Sequence, residues 1–206
     1  MSMREPFAGR VDAVKPRIIL HRSFDEIWHS YGGYVLVIDD LRVAIGPKAH
    51  EEYAFRIGDE VQGEGEEPQH PQAEWAHLYK VRKLQVLSRG PSSQDRPADP
   101  DGGIAPPIAS YRGRGHLRLN PKTYEASCSA CPFGAVLPTQ IILDKWHPER
   151  QTWRLETQCY GPRDCPRYRP GRARIVPTST PGLTYMDDDL ERWKEDEAFL
   201  ASHEDL

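Results

Sequence analysis

The four cysteines of this chain fall into two tight pairs, Cys128 with Cys131 (C-x2-C) and Cys159 with Cys165 (C-x5-C), separated by 27 residues. Each pair sits among turn formers: Pro132 and Gly134 beside the first, Gly161, Pro162 and Pro166 beside the second. Two sulfurs from each of two turns can converge on one tetrahedral centre, and thiolate is the ligand that Zn²⁺ favours in closed sites. The pattern therefore predicts a metal site made of Cys128, Cys131, Cys159 and Cys165. Four thiolates leave no position open for water, so the centre is expected to be structural and not catalytic. An iron–sulfur cluster uses the same four donors, and redox-active or unliganded thiols are the remaining reading.

The sequence around the cysteines reads as a β-hairpin. Residues 139–146 and 152–160 are strand-like, and 147–151 (HPERQ) supply the turn. In the second strand Trp153, Leu155, Thr157 and Cys159 alternate with Arg154, Glu156, Gln158 and Tyr160. Cysteine turn, hairpin and second cysteine turn together make the layout of a zinc ribbon. So small a unit buries little, and metal binding would itself contribute folding energy.

The rest of the chain is turn-rich, with 19 prolines and 16 glycines in 206 residues, which favours short strands over long helices. Residues 17–21 (RIILH), 34–38 (YVLVI), 41–45 (LRVAI), a short stretch near Val61 and 77–87 (HLYKVRKLQVL) read as strands. Gly32-Gly33 and Asp39-Asp40 read as turns, 48–53 as a helical turn, and 77–87 changes phase at Leu84, as a bulge would make it. The expected fold class is mainly β: an OB-like antiparallel barrel over 1–87, a linker over 88–110, a four-cysteine zinc-ribbon-like unit over 111–177 and an acidic helical tail over 178–206. In that tail residues 187–201 carry a helical stripe that includes Trp193.

The net charge of −4 is unevenly spread. Residues 1–110 carry 13 basic and 17 acidic side chains, 111–174 carry 12 and 5, and 175–206 carry 2 and 9. The cysteine segment is thus the basic one, at +7, followed directly by a tail at −7. A phosphate-bearing partner, RNA or single-stranded DNA, is expected to meet Arg112, Arg114, His116 and Arg118 in YRGRGHLR, and Arg163, Arg167, Tyr168, Arg169 and Arg172 around the second cysteine pair. The bland alternative is a solvated basic face partly neutralised by the acidic tail. A rival function is a protein–protein adaptor that uses the ribbon and the Trp193 helix. Trp75, Trp146 and Trp153 are expected to pack in the core or the hairpin.

Catalysis finds little support. His21, Asp25, Glu26 and His29 cluster in HRSFDEIWH, but no nucleophile motif or phosphate-cradling glycine loop accompanies them. No stretch of about eighteen apolar residues is present, so no membrane span is expected, and the N-terminus has no apolar signal region. A cytoplasmic location follows as the expectation, where thiols stay reduced unless a metal holds them.

Residues 17–177 resemble a family of bacterial proteins of uncharacterised function. The likeness is carried by HRSFDEIWHSYGGYVLVI, FRIGDEVQGEG, YKVRKLQVL, YRGRGHLRLNPKTYEASCSAC and WRLETQCYGPRDCPRYRPG. The C-x2-C, Trp146-x-Pro148 and Cys159-Tyr-Gly-Pro-x-x-Cys165 motifs belong to it. The resemblance implies the same domain outline and brings no activity with it.

Overall fold

The structure is a computed structural model that describes residues 4–23, 26–90, 104–144, 146–147, 149–178, 180–182 and 184–186. It is mainly β, with a mixed sheet and few helices. The element that organises it is β1 (Arg4–Arg22), a nineteen-residue strand with partners on both edges. Along its second half it pairs antiparallel with β2 (Ile27–Ile38), which continues into β3 (Leu41–Ile45). Its first half pairs with β4 (Glu60–Glu66), and β4 pairs with β5 (Tyr79–Ser88). A parallel bridge, Val43↔Leu78, brings the start of β5 to β3, so the pairings run β1–β2–β3–β5–β4–β1. Helix α1 (Pro47–Tyr53) lies between β3 and β4 in the chain.

The C-terminal half adds to the same sheet. Helix α2 (Ile108–Arg114) is followed by β6 (Leu117–Arg118), the short turn α3 (Pro121–Thr123), and the hairpin of β7 (Gly134–Ile142) and β8 (Gln151–Cys159). Strand β7 runs parallel to the end of β1 through Leu20↔Thr139, His21↔Gln140 and Arg22↔Ile141. Strand β6 pairs with β8 beside Cys159, and β9 (Ile175–Pro177) pairs with β10 (Thr184–Met186). One buried cluster holds Val14, Ile18, Leu36 and Val61 from the first half together with Tyr111, Phe133, Leu137 and Tyr160 from the second.

Several sequence expectations change here. Gly32-Gly33 does not turn the chain. It lies inside β2 as a bulge opposite Arg17 and Ile18, with Gly33 at φ +111°, where an added Cβ would meet Ile45 O at 2.4 Å. The reversal falls instead between Arg22 and Ile27, where Ser23 N–H donates to Glu26 O. In β5 the phase change is real, and Lys80 and Lys83 both have left-handed backbones there.

The ends of the 88–110 segment are built into the fold. Asp59, fully buried, accepts from Gly90 N–H at 2.9 Å and Arg89 Nη1 at 3.1 Å. Ile104 bridges to Arg56, and the Tyr34 hydroxyl donates to Pro106 O. Residues 91–103 and the expected helix over 187–201, with Trp193, lie outside the described residues.

His50 anchors the returning chain. Its Nε2 donates to Ala105 O at 3.0 Å while its ring packs on Tyr34 at 4.1 Å. Burial lowers its pKa below the ordinary 6.5. An unfolded His50 therefore takes up a proton as pH falls below 6.5 while the folded one resists, so its effect on stability is nil above that value and increasingly unfavourable below it. Melting temperatures recorded from about pH 7.5 to pH 5 should fall more steeply in the native chain than in a His50→Gln variant. Equal slopes would contradict the burial argument.

Candidate metal centre

The first cysteine pair is set by a local run of turns. Asn120 caps the turn, its side chain accepting from Lys122 N–H at 3.0 Å, and Pro121 takes the first helical position, where no N–H is needed. The chain then widens into a π-turn over Tyr124–Cys128. Cys131 N–H donates to Cys128 O at 3.2 Å, and Gly134 N–H to Cys131 O at 3.2 Å. Only glycine fits at 134, since a Cβ there would stand 2.6 Å from Cys128 O. Across the hairpin, Tyr160 N–H donates to Phe133 O, and the second pair closes through Cys165 N–H to Pro162 O at 3.2 Å.

The four thiols border one cavity of about 430 Å³, together with Phe133, Gly161, Pro162, Pro166, Arg167 and Tyr168. Cys128 and Cys159 are buried; Cys131 and Cys165 are partly exposed. Among the described residues no group of three or more His, Cys, Asp or Glu is arranged so as to hold a metal ion. The thiols thus share a cavity without forming a closed ligand set. Their surroundings nonetheless fit a thiolate-bound metal. Gly161 N–H points at Cys159 Sγ from 3.4 Å, a contact that stabilises sulfur carrying negative charge. Burial, then the neighbouring Cys131 and Cys165 sulfurs, push the Cys128 thiol up, and burial does the same to Cys159. Anionic sulfur in such a place needs positive charge close by.

A residue that the sequence reading missed supplies some. Lys15, on β1, has no exposed surface, and its Nζ donates to the carbonyls of Cys128 (2.9 Å), Cys131 (2.6 Å) and Gly134 (2.8 Å). The same ammonium lies 5.4 Å from the centre of the Tyr124 ring. Burial pulls its pKa down to about 7, while the sulfurs of Cys131, Cys128 and Cys159 act in the opposite direction. The only sequence signal was a lysine between Val14 and Pro16.

The residues expected to meet nucleic acid divide into two groups. Arg112, Arg114, Arg163, Arg167, Arg169 and Arg172 are exposed. Arg112 lies over the Tyr31 ring at 4.8 Å and Arg114 over Phe133, a wall of the cysteine cavity, at 4.6 Å. Arg169 Nη1 donates to Pro166 O and Tyr168 O. By contrast, His116 and Arg118 are half-buried, His116 edge-on to His29 at 4.7 Å. Tyr168 is half-buried too, its hydroxyl donating to Arg118 O at 2.8 Å. The first four residues of the YRGRGH segment lie in α2. Tyr111 is fully buried, its hydroxyl donating to Pro132 O at 3.0 Å, and Tyr160 is buried against it. Neither ring is open to a base.

The faces of β8 also differ from what hydrophobicity suggests. Leu155 is 53% exposed, whereas Glu156 and Gln158 are buried. Arg154 Nε lies 2.5 Å from Glu156 Oε1, with Arg22 and Arg174 each 3.8 Å from the same carboxylate. A carboxylate among guanidinium groups can be buried because its charge is matched there. Trp146, expected to pack, is 89% exposed near the hairpin tip. Of the histidine–carboxylate cluster, His21 stacks on Trp28 and bonds Ser30 Oγ and Gln140, while His29 faces His116. The two histidines therefore serve different neighbours, and Asp25 lies outside the described residues. No helix among the described residues is long and apolar enough to cross a membrane.

No protein-family model, curated protein or solved structure matches the chain.

Serine at Cys128 should abolish stoichiometric metal binding and lower stability by about 3 kcal/mol, or roughly 10 °C in melting temperature for a chain of this size. Elemental analysis and calorimetry of the purified variant check both. An unchanged melting temperature would count against a structural metal.

Proposed function

We propose that this chain is a non-catalytic binding module for RNA or single-stranded DNA, built on a structural Zn²⁺ held by Cys128, Cys131, Cys159 and Cys165. One observation carries the reading. The exposed guanidinium groups of Arg112, Arg114, Arg163, Arg167, Arg169 and Arg172 sit on the segments that flank the cysteine cavity, and among the described residues none is paired with a carboxylate. Exposed arginines that no carboxylate neutralises are suited to phosphate oxygens, which they contact without demanding a particular base. In this reading the metal fixes the ribbon-like hairpin, the arginines hold the backbone, and the acidic segment after residue 186 competes for them.

Two structural readings accompany it. The circuit β1–β2–β3–β5–β4–β1, with α1 between β3 and β4, supports an OB-like barrel, a fold whose curved sheet suits oligonucleotides. The hairpin flanked at both ends by cysteine turns supports a zinc-ribbon-like unit joined to that barrel through β1 and β7. An iron–sulfur cluster would use the same sulfurs, and zinc content with an absence of visible colour separates the two. The exposure of Trp146, Leu155 and Trp28 favours a second reading, a protein partner that covers these side chains.

Fluorescence anisotropy with labelled oligouridylate and oligothymidylate tests the first reading. Binding should weaken steeply with salt, and Arg163→Glu with Arg167→Glu should reduce the slope of log K against log salt by about 1.4, as expected for two lost phosphate contacts on a single strand. No binding at low salt, even for a chain truncated after residue 186, would exclude it.

A further inference from the structure

A fully buried ammonium is expensive unless negative charge lies near it. Lys15 Nζ has three hydrogen-bond partners, which satisfies its donors, but all three are neutral carbonyls. Among the described residues no carboxylate pairs with it. Those carbonyls belong to the turn that carries Cys128 and Cys131, which lines the same cavity as Cys159 and Cys165. A Zn²⁺ ion bound by four thiolates carries two surplus negative charges, and burying that centre is costly for the same reason. Each buried charge thus gains from the other, and Arg167 at the cavity wall adds positive charge from the solvent side.

We infer that Lys15 is the counter-ion of the four-cysteine centre, a positioning residue that ties its first turn to β1 and compensates its negative charge. This rests on the metal reading above and assigns a role that the cysteine motif does not contain. The lysine reaches the turn from 113 residues away in sequence, so it links metal loading to the strand that carries the sheet. Loading brings negative charge beside the ammonium and strengthens its hold on the turn. Removing the metal takes away the compensating charge and loosens the same contact. The carbonyl bonds fix where the charge sits, and the thiolates make the position favourable.

Zinc affinity of the full chain, measured by competition with a chromophoric chelator at fixed pH, tests the role. Lys15→Met should weaken zinc binding by about tenfold or more, in line with other outer-shell partners of metal sites. A second background separates charge from packing. Cys131→His keeps the backbone carbonyls but makes the centre less negative by one charge, so the Lys15→Met loss should shrink there. An affinity within about twofold of the native value for Lys15→Met, or an equal loss in both backgrounds, would overturn the role. If Lys15→Met fails to fold, acetylation of the native chain followed by mass spectrometry gives the answer. Lys15 should resist acetylation with zinc bound and become modified once a chelator strips the metal, and equal modification in both states would overturn the inference. A native chain that binds no zinc would remove the metal centre itself, a result distinct from an intact centre indifferent to Lys15.

Discussion

The contact on which the molecule turns is the one between the Lys15 ammonium and the carbonyls of Cys128, Cys131 and Gly134. It joins the strand with most partners, β1, to the turn with most chemistry. Backbone pairing alone links β1 to the hairpin at three residue pairs, Leu20 to Arg22 with Thr139 to Ile141. The lysine adds a second attachment at the opposite end of β7 and makes it an electrostatic one. A neutral side chain at position 15 could fill the space but could not satisfy three converging carbonyls.

Charge matching recurs elsewhere in the fold. Asp59 is buried because Arg56, Arg89 and Gly90 N–H surround it, and this holds the end of β5 against the start of β4. Glu156 is buried among Arg22, Arg154 and Arg174 and fixes the chain after the second cysteine turn onto β8. The interior of the C-terminal half therefore combines an apolar cluster with ion-paired charges. The arginines left at the surface, around the cysteine cavity and along α2, have no such carboxylates among the described residues. Under the proposed function, those unmatched arginines are the groups that would meet a polyanionic partner.

Much of this was legible in the sequence where signals are local. Strand β3 and helix α1 lie where alternation and the Gly46-Pro47 stop put them, and Asp39-Asp40 turns the chain as expected, with Asp39 at φ 50°. The cysteine spacing pointed to one tetrahedral metal centre; the fold brings all four cysteines to one cavity, though among the described residues they do not form a closed ligand set. What was illegible depends on contacts between distant residues. The length of β1 is invisible locally because its 19 residues change partners from β4 to β2 and β7, and no single periodicity spans them. Gly32-Gly33 looks like a turn because bulges and turns ask for the same residue. Glu156 and Gln158 look like surface residues because the arginines that bury them come from β1 and from the segment before β9. Lys15 could be recognised only once the turn it holds was in place.

X-ray absorption at the metal edge of the purified chain, with elemental analysis of the same sample, tests the central claim most directly. One zinc per chain with four sulfur neighbours at about 2.3 Å is the predicted result. A shell containing nitrogen or oxygen, an iron–iron signal, or a folded chain without metal would contradict a structural four-thiolate zinc centre.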